Sequence, residues 1–396
     1  MMNSQVIPYG KHDINQDDID AVVDVLQNHF LTQGNKVPEF EQGLCDYTGA
    51  KYCTAVNSAT SGLHVACMAL GIGQGDYVWT SPNSFAASAN CARYCGAQVD
   101  FVDIDPVTRN LCPVALERKL LKAQQEDRLP KAIVLVHFAG FSCDMRTIQI
   151  LCKPLGIAII EDAAHGLGGT YEGEPVGSCQ YSDFAVLSFH PVKTITTAEG
   201  GAILCNDKRL ADACALYAKH GITRDPEKMT GEAQGPWYYQ QLVLGYNYRM
   251  SDLQGALGLT QLSRVDSFIA QRRQLAKKYL SALSGLPLRL PNSESADSSA
   301  WHLFMIELQV HKRAEVYAEL HKRGIEVNVH YIPIHCHPYY RDLGFADTDF
   351  PNALSFYENA LTLPLYVGMT EEQQDKVIAE LQAVLSENVL SKNALS

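Results

Sequence analysis

Ala158-Ile159-Ile160-Glu161-Asp162-Ala163-Ala164-His165 carries the architecture of this chain. Three apolar residues, then two carboxylates and a pair of alanines, read as a short strand buried on both faces with polar groups at its carboxyl end. Open α/β sheets hold their ligands at such strand ends. On either side lie more apolar runs of the same kind: Tyr52 to Val56, Tyr77 to Thr80, Val99 to Val102, Ala132 to His137, Ala185 to Ser188 and Ala202 to Leu204. Helical stretches, such as Pro113 to Lys122 and Asp144 to Pro154, separate most of the first five. That alternation predicts an α/β domain with a mainly parallel sheet, helices on both faces and right-handed crossovers.

Ahead of the sheet, Ile19, Val22, Val23 and Leu26 recur at helical spacing after Asn15, an expected N-cap, and Val37, Phe40, Leu44 and Tyr47 form a second stripe. From Ser251 the pattern becomes one long helical region, with Leu253, Leu257, Leu262, Val265, Ile269, Leu275 and Leu283, ending at Gly285 and Pro287. It is expected to link two domains, a large one over 13–250 and a smaller α+β unit within 251–396. In the smaller unit we expect a strand from Trp301 to Leu308, a helix from Ala314 to Lys322, a strand from Glu326 to Val329 and a final helix from Glu371 to Leu385. The polar tail from about Val384 is expected to be disordered and is assigned no role.

Composition narrows the function. The chain has 396 residues, 46% hydrophobic and 19% charged, a globular balance with no apolar run of membrane-spanning length. No secretory leader pattern opens it, and 12 scattered cysteines without paired spacing read as reduced thiols, so a cytoplasmic home is expected. His335, Cys336 and His337 lie together, but no second cluster completes a metal site. A net charge of −12 argues against nucleic acid as a partner. It leaves room for a phosphorylated ligand held locally by backbone N–H groups.

Four elements follow in order. Asn57-Ser58-Ala59-Thr60-Ser61-Gly62 stands after a strand and opens a helix, offering free N–H groups and hydroxyls to a phosphate. Phe85 follows the next strand, where a ring can stack on a flat heteroaromatic. Asp162, at its strand end, can hold a pyridinium nitrogen protonated. Lys193, on the loop Ser188-Phe189-His190-Pro191-Val192-Lys193, can condense with an aldehyde if its amine is desolvated. Singly, these have ordinary readings: a helix cap, a core phenylalanine, a turn aspartate, a surface lysine. Together and in this order they meet every requirement of pyridoxal phosphate (PLP).

At these residues the sequence resembles the fold-type I aminotransferases, and within them the nucleotide-sugar aminotransferases of the DegT/DnrJ type. The likeness spans nearly the whole chain. It is carried by Leu31-Thr32-Gln33-Gly34, the 57–62 and 160–165 segments, and the lysine loop joined to Ala198-Glu199-Gly200-Gly201. Gly245-Tyr246-Asn247-Tyr248-Arg249-Met250-Ser251-Asp252, Trp301-His302-Leu303-Phe304 and His330-Tyr331-Ile332-Pro333-Ile334-His335 complete it. The resemblance implies that Lys193 carries the cofactor, Asp162 pairs with its ring nitrogen and Phe85 stacks on the ring. Ala59, Thr60 and Ser188 would bind the phosphate. Asn247 would reach the neighbouring subunit's phosphate, making a homodimer with composite sites. His165, where many relatives carry glutamine, would lie beside the phenolic oxygen, and His330 and Arg249 would face substrate.

The implied reaction is a ping-pong, Schiff-base transfer of an amino group from L-glutamate to a keto carbon of a UDP-linked sugar. The opening motif and the form of the lysine loop are most similar to the enzymes acting on UDP-2-acetamido-2,6-dideoxy-β-L-arabino-hexos-4-ulose, on the way to pseudaminic acid. Relatives acting on UDP-4-keto-arabinose are the alternative. A PLP-dependent sugar dehydratase would carry histidine in place of Lys193. A lyase or desulfurase acting on amino acids would use a cysteine or another arginine pattern. A non-catalytic regulator would lack Lys193 or Asp162.

Overall fold

The computed structural model describes residues 6–310 and 312–393. Its central sheet has seven strands: β1 (Tyr52–Val56), β2 (Tyr77–Thr80), β3 (Gln98–Phe101), β4 (Ala132–Val136), β5 (Ala158–Asp162), β6 (Phe184–Ser188) and β7 (Gly201–Cys205). Their order across the sheet is β1-β7-β6-β5-β4-β2-β3. Only β7 runs against its neighbours, β1 and β6; the remaining pairs are parallel. The expected strands are therefore all present, with ends moved by one or two residues. β4 and β7 are buried along their whole length, as unbroken apolar runs require. Ile133, Val134 and Leu135 are each fully buried, and each such side chain contributes about 1.5–3 kcal/mol.

Parallel pairing aligns the strand ends. Asp162, last in β5, lies opposite Val136 of β4 and Val186 of β6. The loops leaving β1, β2, β5 and β6 thus open on one edge, where crossover helices such as α3 (Ala59–Ala69) and α4 (Ala87–Tyr94) begin.

Three expectations need correcting. α1 (Gln16–Asn28) is capped by Asn15 in a capping box with Asp18, but its apolar stripe does not enter the core. Ile19, Val23 and Leu26 are 47%, 39% and 58% exposed, while Asp18 and Val25 are buried. Asp18 accepts from Thr260 Oγ1 (2.7 Å) and Gln261 Nε2 (2.8 Å) and pairs with Arg264. A buried carboxylate so fully matched fixes which face turns inward. Arg264 is also where the long linking helix breaks into α8 (Asp252–Ser263) and α9 (Val265–Ala282). Its guanidinium reaches Asp13 as well (2.6 Å), tying the break to the start of the chain.

The third correction concerns the smaller unit, whose antiparallel sheet is built from Leu288–Arg289, Phe304–Leu308 and Ala360–Leu363. Glu326 to Val329 is not a strand; only the bridges Ile7↔Ile325 and Asn328↔Thr362 mark it. Asn328 and Val329 line a cavity instead. The helix Arg313–Lys322 packs here, and a final helix runs Glu371–Asn393, past the expected end, with Val384 and Leu385 buried. Among the described residues, no helix is long and apolar enough to cross a membrane.

Candidate active site

The strand ends open on a cavity of about 1570 Å³, counting its mouth. Its first wall is the turn into α3. Ser58 caps that helix, its Oγ accepting from Ser61 N (3.1 Å), and Ser61 Oγ donates to Asn57 Oδ1 (2.6 Å). The first intrahelical bond is Gly62 N to Ser58 O (3.0 Å), so the N–H groups of Ala59 and Thr60 lie ahead of the ladder and Ala59 and Thr60 line the cavity. The turn leans directly on β7: a Cβ on Gly201 would stand 2.5 Å from Ala59 N. Ser188, opposite Gly201 in register, lines the same wall. A helix start with free donors, flanked by hydroxyls and pressed against glycine, suits a phosphate.

Asp162 is buried at the floor. Oδ2 accepts from Ser88 Oγ (2.6 Å), itself 2.7 Å from Ser84 Oγ, and Oδ1 accepts from Ala164 N (3.2 Å). These bonds fix the orientation of the carboxylate. Glu161 points to the other side of the sheet, bonded to His137 Nε2 (2.7 Å) and Ser182 Oγ (2.5 Å). Alternation along β5 thus gives one carboxylate to the cavity and one to the scaffold.

Lys193 stands on a loop closed at its base by Phe189 N to Gly200 O (2.9 Å) and Thr197 N to Phe189 O (3.0 Å). Burial lowers the pKa of its amine to about 8, against the opposing pull of Asp162. An appreciable fraction is then the free base at neutral pH. Phe85 stands at the opening, 63% exposed, its nearest ring contact Tyr331 at 6.3 Å and tilted. A large ring left facing a cavity is free to stack on a flat ligand and is not a core residue.

Three histidines make the remaining wall. His165 is buried, its Nδ1 accepting from Ala139 N (3.3 Å) and its Nε2 3.2 Å from Tyr331 Oη. That places the ring proton on Nε2. His302 stacks at a tilt on His165 (4.3 Å between centroids), and His330 Nδ1 lies 2.8 Å from Thr362 Oγ1. Burial, reinforced by Lys193 nearby, keeps all three neutral: His165 and His302 are pushed well below the usual range and His330 to about 3. Among the described lining residues, Lys193 is the one lysine or arginine.

The cavity therefore gathers Ala59, Thr60, Phe85, Asp162, His165, Ser188, Lys193 and His330. It does not gather Arg249 or Asn247. Arg249 bridges Val56 through its backbone, and Asn247, exposed, bridges Lys219. Sequence reasoning missed Tyr9, Gly10, His302, Tyr331 and the Ser84–Ser88 pair, all but Ser88 in the lining. His302 and Tyr331 sit inside quoted motifs and were within reach; Tyr9 and Gly10, brought in by the Ile7↔Ile325 bridge, carried no signal.

A phosphate cradle, a buried aspartate, a stacking ring and a desolvated lysine at the open edge of a mostly parallel sheet define a PLP-dependent aminotransferase. Residues 12–382 match the DegT/DnrJ/EryC1/StrS aminotransferase family, and the chain belongs to it. It is 37% identical over 386 residues to the spore coat polysaccharide biosynthesis protein SpsC of Bacillus subtilis, covering 96% of this chain and 97% of that one. It is 36% identical over 368 residues to the UDP-4-amino-4,6-dideoxy-N-acetyl-beta-L-altrosamine transaminase of Campylobacter jejuni, covering 92% and 93%. Among solved structures, Spr1654 of Streptococcus pneumoniae superposes in its PLP form with a TM-score of 0.87 at 29% identity, over 96% of this chain and 99% of that one. PLP is the cofactor.

Proposed function

We propose that the protein moves an amino group from L-glutamate to the 4-keto carbon of a UDP-linked 4-keto-6-deoxy-N-acetyl hexose, on the route to pseudaminic acid, by a ping-pong cycle in the cytoplasm. The observation that carries this reading is the convergence of Lys193 and Asp162 with a wall of three neutral imidazoles. A wall of uncharged donors and acceptors suits the hydroxyls and acetamide of a sugar. Bound PLP supplies an electron sink that acidifies the carbon bearing nitrogen and a reversible carrier for that nitrogen.

The chain's residues do the rest. Lys193 Nζ would hold the cofactor and, when free, would take and return the proton at the reacting carbon. Asp162, held by Ser88, would pair with the ring nitrogen. Phe85 would stack on the ring, and Ala59, Thr60 and Ser188 would hold the phosphate. His165 would serve the phenolic oxygen, and His330 the sugar. Arg249 can face substrate only from a neighbouring subunit, given its place outside this cavity.

Two features favour a homodimer with composite sites. The α1 stripe, with Phe30 and Leu31 beyond it (78% and 49% exposed), leaves more apolar surface uncovered than a lone soluble helix carries. The cavity also holds one cation for a dianionic phosphate and a dicarboxylate donor, so further donors such as Asn247 would come from the partner. The comparable likeness to SpsC, a protein of spore coat polysaccharide biosynthesis, keeps a second reading, a different nucleotide-linked keto sugar, for which UDP-4-keto-arabinose is the test case.

Purified holoenzyme, L-glutamate and a panel of UDP- and dTDP-keto-sugars test this, with mass spectrometry reading which sugar gains nitrogen. Amination of the N-acetyl 4-keto hexose is expected to lead. Amination of UDP-4-keto-arabinose alone would select the second reading, and no amination of any would end both.

A further inference from the structure

A second, smaller cleft lies behind the active-site wall, between the loop at Thr108–Asn110, the 138–142 turn, the 290–295 segment and the strand Phe304–Leu308, with about 600 Å³ counting its open mouth. Phe138, Phe141, Leu303, Met305 and Phe356 give it an apolar, partly aromatic lining. Arg109 lines it and is 9% exposed. Nε and Nη2 of Arg109 both donate to Glu307, which also lines the cavity, while Nη1 is buried with no hydrogen-bond partner. A buried donor left without an acceptor costs about 1–3 kcal/mol, so the cleft carries an unmet hydrogen bond. The guanidinium charge is already matched by Glu307, which disfavours a further anion.

We propose that this cleft binds a small neutral molecule with an apolar, aromatic body and one strong hydrogen-bond acceptor, which satisfies Arg109 Nη1. The site reports to the active site through one residue, Ala139. Ala139 lines the cleft, its N–H donates to His165 Nδ1 (3.3 Å), and its carbonyl accepts from Leu303 N (3.2 Å). Leu303 lines both cavities. An occupant therefore bears on the peptide that orients the His165 ring.

N,N-dimethylbenzamide, neutral and with a carbonyl acceptor, is the probe, and cumene, of similar bulk with no acceptor, is its control. Holoenzyme carrying methyl-13C methionine and ring-13C histidine is titrated and followed by NMR, with Met305→Leu and His165→Gln assigning the two reporters. The amide should shift Met305 saturably, cumene should bind about fivefold more weakly, and His165 should move in step. Arg109→Met with Glu307→Gln, which removes donor and charge together, should erase the preference for the amide. Asn292→Trp, filling the rim, should abolish both shifts and keeps the test open if the double variant does not fold. No saturable shift at Met305, equal affinity for the two probes, or binding unchanged by Asn292→Trp would overturn the site; a Met305 shift with His165 unmoved would overturn the coupling.

Discussion

Lys193 shows how one residue's surroundings set a reaction's conditions. Its amine reacts as the free base, and burial brings the pKa from 10.5 to about 8. Capture of PLP by cofactor-free protein should accelerate as pH rises through about 8 and then level off, followed by the visible absorbance of the tethered cofactor. A midpoint near 10 would mean an amine in solvent. Stability runs the same way: the folded value lies below the unfolded one, so the unfolded chain holds the extra proton between about 8 and 10.5. Cofactor-free protein should therefore gain stability as pH climbs through that window, an effect lost in Lys193→Met. Asp162 is held in place by Ser88 Oγ and Ala164 N. Asp162→Asn should fold, bind PLP and lose about 10²–10⁴ in turnover, since an amide cannot keep the ring nitrogen protonated. Near-wild-type rates in that variant, with its circular dichroism unchanged, would remove the carboxylate from the chemistry.

At the level of elements, the contact between the α3 turn and β7 deserves a direct test. Gly201→Ala places a methyl 2.5 Å from Ala59 N and 2.7 Å from Ser58 C, backbone atoms that cannot swing aside. The turn must retreat, and PLP affinity should fall by about tenfold or more, while Gly73→Ala, whose Cβ would meet nothing within 4 Å, should leave it intact. Equilibrium dialysis of cofactor against both variants separates the outcomes. This contact also marks where sequence reading stops. The central strands were legible because a strand buried on both faces leaves an apolar run, and Asp162 and Ser188 were legible because each stands at such a strand's end. The break at Arg264 was not, because the partners that fix it, Asp13 and Asp18, lie 251 and 246 residues away. Nor was Ala360–Leu363, which follows its helix without a turn signal and owes its strand state to pairing with Phe304–Leu308. The α1 stripe was read as apolar at helical spacing, and which way it faces was not legible, since periodicity reports that a helix has an apolar face and not what covers it.

That uncovered face raises the question of the whole molecule: whether one chain makes one site. Asn247 is exposed and outside its own cavity, while Lys193 lies within it. If Asn247 serves the neighbouring subunit, the two residues belong to different sites of a dimer. Lys193→Ala and Asn247→Ala proteins should each be impaired alone, the first nearly inactive and the second weak in holding PLP. Mixed by coexpression, half the dimers are hybrids. In a hybrid, one site joins the intact lysine of one chain to the intact asparagine of the other, and the second site carries both defects. The mixture should then recover about a quarter of wild-type activity per chain, the share of sites that random pairing leaves whole. If Asn247 instead acts within its own chain, every site in the mixture is damaged and activity cannot exceed the average of the two parents. Turnover assayed against the ratio of the two chains distinguishes these cases, because only the shared-site arrangement peaks at an equal mixture.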